Sequence, residues 1–391
     1  RLRLRSASGR GLFLRALREA PPHRGGAGLI PIARPVLEEE EKAAILRVLE
    51  SGFLVQGERV AELEALFARF VGTEHAVATH AGTSALHSAL HALGVGPGDE
   101  VILPAITFFS CAAMVAALGA TPVVADVRED DYNLDPDAAR EALTSSTRGI
   151  MPVHLYGQPA PMRPLLDLAE DRGLFVLEDA CQAHGARYGP DRVGGLGVAG
   201  CFSFYPSKLM TTGEGGMVVT DDEEVASRCR KFRNHGAVTK YRHESLGYNY
   251  RMTDVAAALG IEQLKKIDGF IEARSRNAAF LSRSLRDIDG LRIPEVLSGN
   301  THVWYQYILR VTERFPVTRD KVVAELAAQG VQARPSYPMP IHRQEAYRPL
   351  GRAAPTVVAE TVLPQLLELP VHPSLSPSDL KTITASFEAL T

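Results

Sequence analysis

The chain has 391 residues, 45% hydrophobic and 23% charged, a balance that suits one large α/β domain plus a smaller one and argues against disorder as the dominant state. A formal net charge of -3 supplies no basic field for nucleic acid, and no apolar run is long enough to cross a bilayer; neither DNA binding nor membrane insertion is expected, and the cytoplasm is the default location. Cys111, Cys181, Cys201 and Cys229 lack the paired spacing of zinc or redox motifs and read as reduced packing residues, so no metal is called for.

Residues 1–28 are arginine-rich and nearly free of acids. That composition resembles an organellar transit segment, but an upstream start in GC-rich coding sequence accounts for the arginines equally, and the stretch is expected to be a flexible extension. Folding signals begin at Ile30-Pro31. Helices are predicted from Glu38 to Glu50 and from Arg59 to Phe70. Val77 to Thr79 reads as a strand, and Gly82-Thr83-Ser84 opens a helix with apolar Leu86, Leu90 and Leu93 on one side. Strand and helix patterns then alternate: Val101 to Leu103, Phe108 to Leu118, Pro122 to Ala125, Ala138 to Leu143, Gly149 to Val153, Met162 to Arg172, Phe175 to Leu177. Such alternation predicts a mainly parallel sheet covered on both faces. Further strands are expected at Gly200 to Tyr205 and Gly216 to Thr220, the second followed by a helix capped at Asp221-Asp222. A long helix runs from Thr253-Asp254 towards Arg286 with a bend expected at Asp268-Gly269. Beyond it, His302 to Val311 reads as a strand, Arg319 to Gln329 as a helix and Leu367 to Pro373 as an extended segment before a terminal helix. The domains expected are a large one over 29–255 and, over 256–391, a linking helix with a small α+β domain.

Chemistry concentrates after the strands. Lys208 lies just past one strand pattern and just before Thr211-Thr212-Gly213-Glu214-Gly215-Gly216, where its amine is free to act as a nucleophile. Phe175-Val176-Leu177-Glu178-Asp179 reads as a buried strand ending in two acids, and Asp179 shares a face with Leu177. A lysine that forms a Schiff base with an aldehyde, and an acid that keeps a pyridine nitrogen protonated, suit pyridoxal 5'-phosphate. Gln182 is then a donor to the ring hydroxyl, and Phe108, at a strand's carboxyl edge, an aromatic to stack on the ring. The helix start at Gly82, Thr83 and Ser84 offers unpaired N–H groups to a phosphate, although the same residues also serve as ordinary capping. His154 and His184 stand at strand ends and are left out of the catalytic set.

The runs GTSALHSAL, GDEVILPAITFFS, PVHLYGQ, EDACQAHGARY, FSFYPSKLMTTGEGGMVVTDD, RNHG and GYNYRMTDVAAALG resemble the DegT/DnrJ/EryC1/StrS family of pyridoxal-phosphate sugar aminotransferases, from about Ile30 to the C-terminus. The resemblance implies the aspartate-aminotransferase-like fold-type I, with a mainly parallel, seven-stranded-type sheet. It implies Lys208 as the Schiff-base lysine, Asp179 as partner of the pyridine nitrogen, Ser203 beside Thr83 and Ser84 on the phosphate, and Asn249 reaching the phosphate from the other subunit of a homodimer. It also implies glutamate as amino donor and a nucleotide-linked keto sugar as acceptor, with Arg334, Tyr337 and His342 bordering the sugar pocket. The TTGEGG and GYNYRMTD forms are similar to those of enzymes acting at C4 of 4-keto-6-deoxy sugars. Lysine at 208, where some relatives carry histidine and act as dehydratases, favours transamination. The rival readings are an aromatising dehydratase resembling aminohydroxybenzoate synthases and a regulatory protein that keeps the cofactor site without chemistry.

Overall fold

Short runs of aliphatic residues, apolar on both faces, need cover on both sides, and here they build one central sheet. The computed structural model describes residues 29–390, so the expected flexible extension at 1–28 lies outside the described residues. The strands are β1 (His75–Thr79), β2 (Glu100–Pro104), β3 (Thr121–Ala125), β4 (Thr147–Ile150), β5 (Phe175–Asp179), β6 (Ala199–Ser203) and β7 (Gly216–Thr220). They lie in the order β1-β7-β6-β5-β4-β2-β3, with the two-residue strand Arg352–Ala353 beyond β3. Neighbours from β6 to Arg352–Ala353 are parallel, whereas β7 runs antiparallel to β6 and β1. The expected mainly parallel sheet is therefore present. The strand order reverses beside β2 and β4, and the crevice outside the carboxyl ends at such a reversal is where open α/β sheets bind ligands.

Side chains alternate across the sheet with period two. Val101 and Leu103 of β2 join a core with Leu86 and Leu90 of α3 (Gly82–Ala92), while Ile102 between them joins Leu165 and Leu168 of α6 (Met162–Arg172) on the other face. A third cluster gathers Leu63 and Phe67 from the helix Glu58–Val71, Phe202 and Phe204, and Ile261 from the long helix α8 (Asp254–Leu285).

That helix has 32 residues, about 48 Å at the usual rise. It continues through Asp268-Gly269, where a bend was expected: Gly269 is exposed and costs about 1 kcal/mol of helix propensity, which the buried Ile267, Arg274, Asn277 and Ala278 around it offset. It leads to a four-stranded antiparallel sheet in the order Leu291–Arg292, β8 (Tyr307–Val311), β9 (Leu366–Leu369), Arg334–Pro335. The helices Arg319–Ala328 and Pro377–Glu388 cover it through Val322, Leu326, Ile383 and Phe387.

Two strand expectations are shortened. The run Gly149 to Val153 is continuous strand only as far as Ile150, because Pro152 has no N–H for a ladder; the Pro152 carbonyl accepts Asp179 N at 2.9 Å, and Val153 makes an isolated parallel bridge to Asp179. In His302 to Val311 only Tyr307–Val311 is a strand, since Trp304 takes φ 54° and turns the chain. The segment pairs with a turn of the large sheet instead, Val303 N donating to Gly157 O and Gln306 N to Tyr156 O.

One contact joins the long helix to its neighbour before either reaches the site. The buried Asp254 carboxylate accepts from Gly57 N at 2.8 Å, Val60 N at 3.1 Å and Arg59 N at 3.3 Å, capping the helix Glu58–Val71 from another element. Asp254→Ala is expected to lower the unfolding free energy by about 2–3 kcal/mol, and Asp254→Asn by less, read from the midpoint of urea unfolding at unchanged slope.

Candidate active site

The two acids that end β5 face opposite ways because strand side chains alternate. Glu178, fully buried, accepts from Gly194 N, Leu196 N and Gly197 N at 2.7 Å each and faces His154 Nε2 at 2.9 Å. His154 Nδ1 accepts Ala160 N at 3.0 Å, so this histidine is structural as well. Every lone-pair direction of Glu178 is taken up in fixing the loop between β5 and β6. Asp179 points the other way, into the crevice. Its Oδ1 accepts Cys181 N at 3.0 Å and its Oδ2 accepts the Cys111 thiol at 3.0 Å. Burial and the nearby Asp179 charge push the Cys111 and Cys181 thiols well up, so both stay protonated.

Lys208 sits in a wound loop between β6 and β7. Phe204 N donates to Gly215 O, Thr212 N to Phe204 O, and Thr211 Oγ1 to the same carbonyl, at 2.8, 3.0 and 2.9 Å. Gly213 closes the loop at φ 82°, a conformation side-chain-bearing residues avoid. The amine of Lys208 donates to the Tyr305 hydroxyl at 3.3 Å and stands 4.4 Å from the centre of that ring. Burial pushes this amine down, but Tyr305, Cys181 and Asp179 together outweigh it and hold it above the ordinary lysine value. His184, beneath the loop among Phe67, Phe202 and Phe204, is pushed down to about 3 by burial and by Lys208, so it contributes packing and no charge.

The start of α3 abuts the same space. Ala85 N to Ala81 O is the first bond of the helix, leaving the N–H groups of Gly82, Thr83 and Ser84 outside its ladder at the positive end of the dipole. A Cβ on Gly82 would stand 2.7 Å from Ser203 Cβ and 3.1 Å from Cys181 Sγ, so only glycine lets the helix end approach β6. Ser84 turns its hydroxyl back to Ala81 O at 2.8 Å and His80 Nδ1 at 2.7 Å, leaving its backbone N–H as the group able to face an anion. Close approaches thus chain Gly82, Ser203, Cys181 and Asp179 together, and Lys208 with Tyr305 lies within electrostatic reach of Cys181 and Asp179.

Gln182, buried, accepts Tyr156 N at 2.8 Å and donates to the Tyr337 hydroxyl at 3.2 Å. Tyr337 stacks on Tyr156, whose hydroxyl meets Ser336, so this part of the second sheet's flank closes over the crevice. Phe108, after β2, is 62% exposed with its ring uncovered. Arg334 and His342 are engaged elsewhere: Arg334 Nε donates to Glu368 at 2.6 Å, and His342 lies 3.4 Å from Glu360. Asn249 is exposed at the end of an excursion whose Tyr241 and Leu246 are also bare. No group of three or more His, Cys, Asp or Glu side chains among the described residues is arranged to hold a metal.

From the sequence Cys111 is expected only as a packing residue, and Tyr305 carries no expected role. Cys111 carries no motif, and its role follows from a helix start beside β5. Tyr305 lay inside the stretch read as strand, and only the turn at Trp304 aims it at Lys208.

Comparison with known proteins identifies the family and the fold. The model of the DegT/DnrJ/EryC1/StrS aminotransferase family matches residues 35–388. The dTDP-3-amino-3,4,6-trideoxy-alpha-D-glucose transaminase of Streptomyces venezuelae is 42% identical over 89% of this chain and 92% of its own. The GDP-perosamine synthase of Caulobacter vibrioides is 37% identical over 92% of this chain and 97% of its own. Among solved structures, DesV of S. venezuelae superposes with a TM-score of 0.85 at 38% identity, covering 92% of this chain and 98% of that one. The architecture is that of fold-type I, α/β with a mainly parallel central sheet.

The division of labour between the two acids is open to measurement. Asp179→Asn is expected to keep the unfolding midpoint near wild type while slowing turnover roughly 10²–10³-fold, the usual effect of losing one electrostatic stabiliser. Glu178→Gln should do the reverse, lowering stability by about 2–4 kcal/mol as it leaves backbone donors unpaired, with the surviving folded protein still active. Thermal unfolding beside steady-state rates separates the two.

Proposed function

The chain belongs to the DegT/DnrJ/EryC1/StrS aminotransferase family, and from that premise we propose that it is a pyridoxal-phosphate-dependent transaminase carrying an amino group from glutamate to a nucleotide-linked keto sugar in amino-sugar biosynthesis. The observation that carries this reading is the cluster in which Gly82 at the open N-terminus of α3 abuts Ser203 and Cys181, Cys181 N meets the buried Asp179 carboxylate, and the Lys208 amine lies within their electrostatic reach.

These residues suit the cofactor. Lys208 is the amine to bind its aldehyde, Asp179 the acid for its ring nitrogen, Gln182 the donor beside its ring oxygen and Phe108 the aromatic against its face. Gly82, Thr83 and Ser84 offer N–H groups to its phosphate, with the Ser203 hydroxyl alongside. When bound, the cofactor supplies an electron sink for the carbon that loses a proton. The chain's own part is to hold and move that proton: Lys208 Nζ takes it from the donor's α-carbon, with the Asp179 carboxyl buried nearby. Cys111 and Cys181 N–H fix the Asp179 carboxylate so that it needs no reorganisation as the proton moves.

The acceptor we favour is a nucleotide-linked 4-keto-6-deoxy sugar, received beside Tyr337, whose hydroxyl meets Gln182, while Arg334 and His342 are occupied by Glu368 and Glu360. The bare excursion bearing Asn249 supports a homodimer in which that residue completes the partner's phosphate site. We place the enzyme in the cytoplasm; no helix among the described residues is long and apolar enough to cross a membrane.

Incubation with glutamate and a panel of GDP-, dTDP- and UDP-linked keto sugars is expected to yield 2-oxoglutarate in equal amount to amino sugar, and only with 4-keto-6-deoxy acceptors. A dehydrated product without 2-oxoglutarate would replace this reading with the aromatising dehydratase, and no consumption of glutamate with a regulatory protein. Borohydride reduction should fix the cofactor on Lys208. Mixing inactive Lys208→Ala and Asn249→Asp proteins should restore roughly a quarter of the sites after subunit exchange, given twofold symmetry. No recovery would assign both residues to one subunit's site.

A further inference from the structure

We propose that Tyr305 is the positioning residue of Lys208, its hydroxyl aiming the free amine at the donor's α-carbon and its ring face stabilising the ammonium formed when the proton arrives. This deepens the transaminase reading and rests on it. A neutral amine has two N–H bonds and one lone pair. With one N–H given to the Tyr305 hydroxyl at 3.3 Å, rotation about the last side-chain bond is restricted and the lone pair is left free to take a proton. Once protonated, the nitrogen lies 4.4 Å from the ring centre, where the face of an aromatic attracts a cation. No atom is gained or lost by Tyr305: the proton leaves carbon, bonds to nitrogen and departs from nitrogen later, while the phenol keeps its own.

Tyr305 is held more firmly than a pocket-lining residue requires. Its hydroxyl also meets Ser207 Oγ at 3.2 Å, one residue before the lysine it serves. Its backbone follows Trp304 at φ 54°, and the buried Arg274 donates to the carbonyls of Trp304 at 3.1 Å and Tyr305 at 3.2 Å. On the other side, a Cβ on Gly157 would stand 2.9 Å from Tyr305 N, so the turn is pressed against the loop that positions Gln182 through Tyr156 N. A residue whose backbone is held at its own and the preceding carbonyl and whose hydroxyl is held at its tip has little freedom left, which is what directing a flexible lysine demands.

The groups that act on the Lys208 charge are Tyr305, Cys181 and Asp179, and His184 beside them stays neutral. A hydroxyl accepting from the ammonium favours the charged form, so its removal lowers the pH at which the amine becomes nucleophilic. The test uses Tyr305→Phe, which keeps the ring and the packing, with an unchanged unfolding midpoint as the check on the fold. In cofactor-free protein, competitive acetylation by acetic anhydride over a pH series, followed by peptide mapping, reads the titration of Lys208 directly. Its midpoint is expected to fall in Tyr305→Phe relative to wild type. In the loaded enzyme, kcat with glutamate should drop roughly tenfold, about 1.4 kcal/mol, while KM for glutamate changes less than about twofold. An unmoved Lys208 midpoint or an unmoved kcat overturns the proposal and leaves Tyr305 as packing. If the wild type transfers no amino group at all, the transaminase reading fails, and the acetylation series alone still decides whether Tyr305 governs the lysine.

Discussion

A carboxylate buried at the end of a strand must be told which way to face, and the site depends on how β5 settles that for two adjacent acids. The backbone alternation sends Glu178 and Asp179 to opposite sides, but alternation alone would leave either free to be the functional one. The loop after β5 decides it. Three backbone N–H groups and His154 converge on Glu178, so its charge is consumed in holding chain. Asp179 receives one N–H and one weak thiol donor, which leaves lone pairs directed into the crevice. A thiol is a weak donor, so it orients the carboxylate while occupying little of its hydrogen-bonding capacity.

Much of this was legible in the chain because the chemistry sits at strand ends, and strand ends are announced by a change in hydrophobic pattern. Lys208 and Asp179 stand out when that change is read for both together, whereas the helix start at Gly82 reads equally as ordinary capping. What the pattern does not carry is the direction in which a turn throws a side chain. Trp304 adopts a left-handed conformation inside a run of β-forming residues, so Tyr305 was hidden in an apparent strand; the competing signal was tertiary, two donors from the run to the carbonyls of Tyr156 and Gly157. Arg334 shows the complementary limit. Its charge suggests an anionic ligand, but a buried carboxylate on the neighbouring strand, Glu368, stands directly across in register and meets it. Cross-strand partners are set by register, which a single sequence does not display.

The two sheets share an apolar cluster, in which Ile308 and Leu366 pack with the core of the central sheet, and polar contacts around the site add to it. Gln182 takes a hydrogen bond from one side and gives one to Tyr337 on the other; Tyr156 reaches Ser336; Lys208 reaches Tyr305. Each of these links a residue of the central sheet's loops to one that follows the long helix. A shift of the second sheet would therefore be felt at the lysine and at the glutamine together. The helix itself is tethered at its start, where Asp254 caps the neighbouring helix, and its buried Arg274 stands twenty residues on.

Arg274 shows what this arrangement costs and why it persists. A guanidinium buried without a paired carboxylate is destabilised, and burial pushes it down to about 10, although Tyr305 and Glu368 counter part of that. Its donors go to two successive carbonyls that a left-handed turn leaves without a ladder, so the arginine replaces the strand pairing that Trp304 interrupts. A leucine there would remove the desolvation cost but leave both carbonyls unpaired in the interior, which is the dearer outcome when two acceptors are orphaned at once. The buried charge thus holds open a local conformation that ordinary sheet hydrogen bonding would erase, and that conformation is the one that turns Tyr305 towards Lys208.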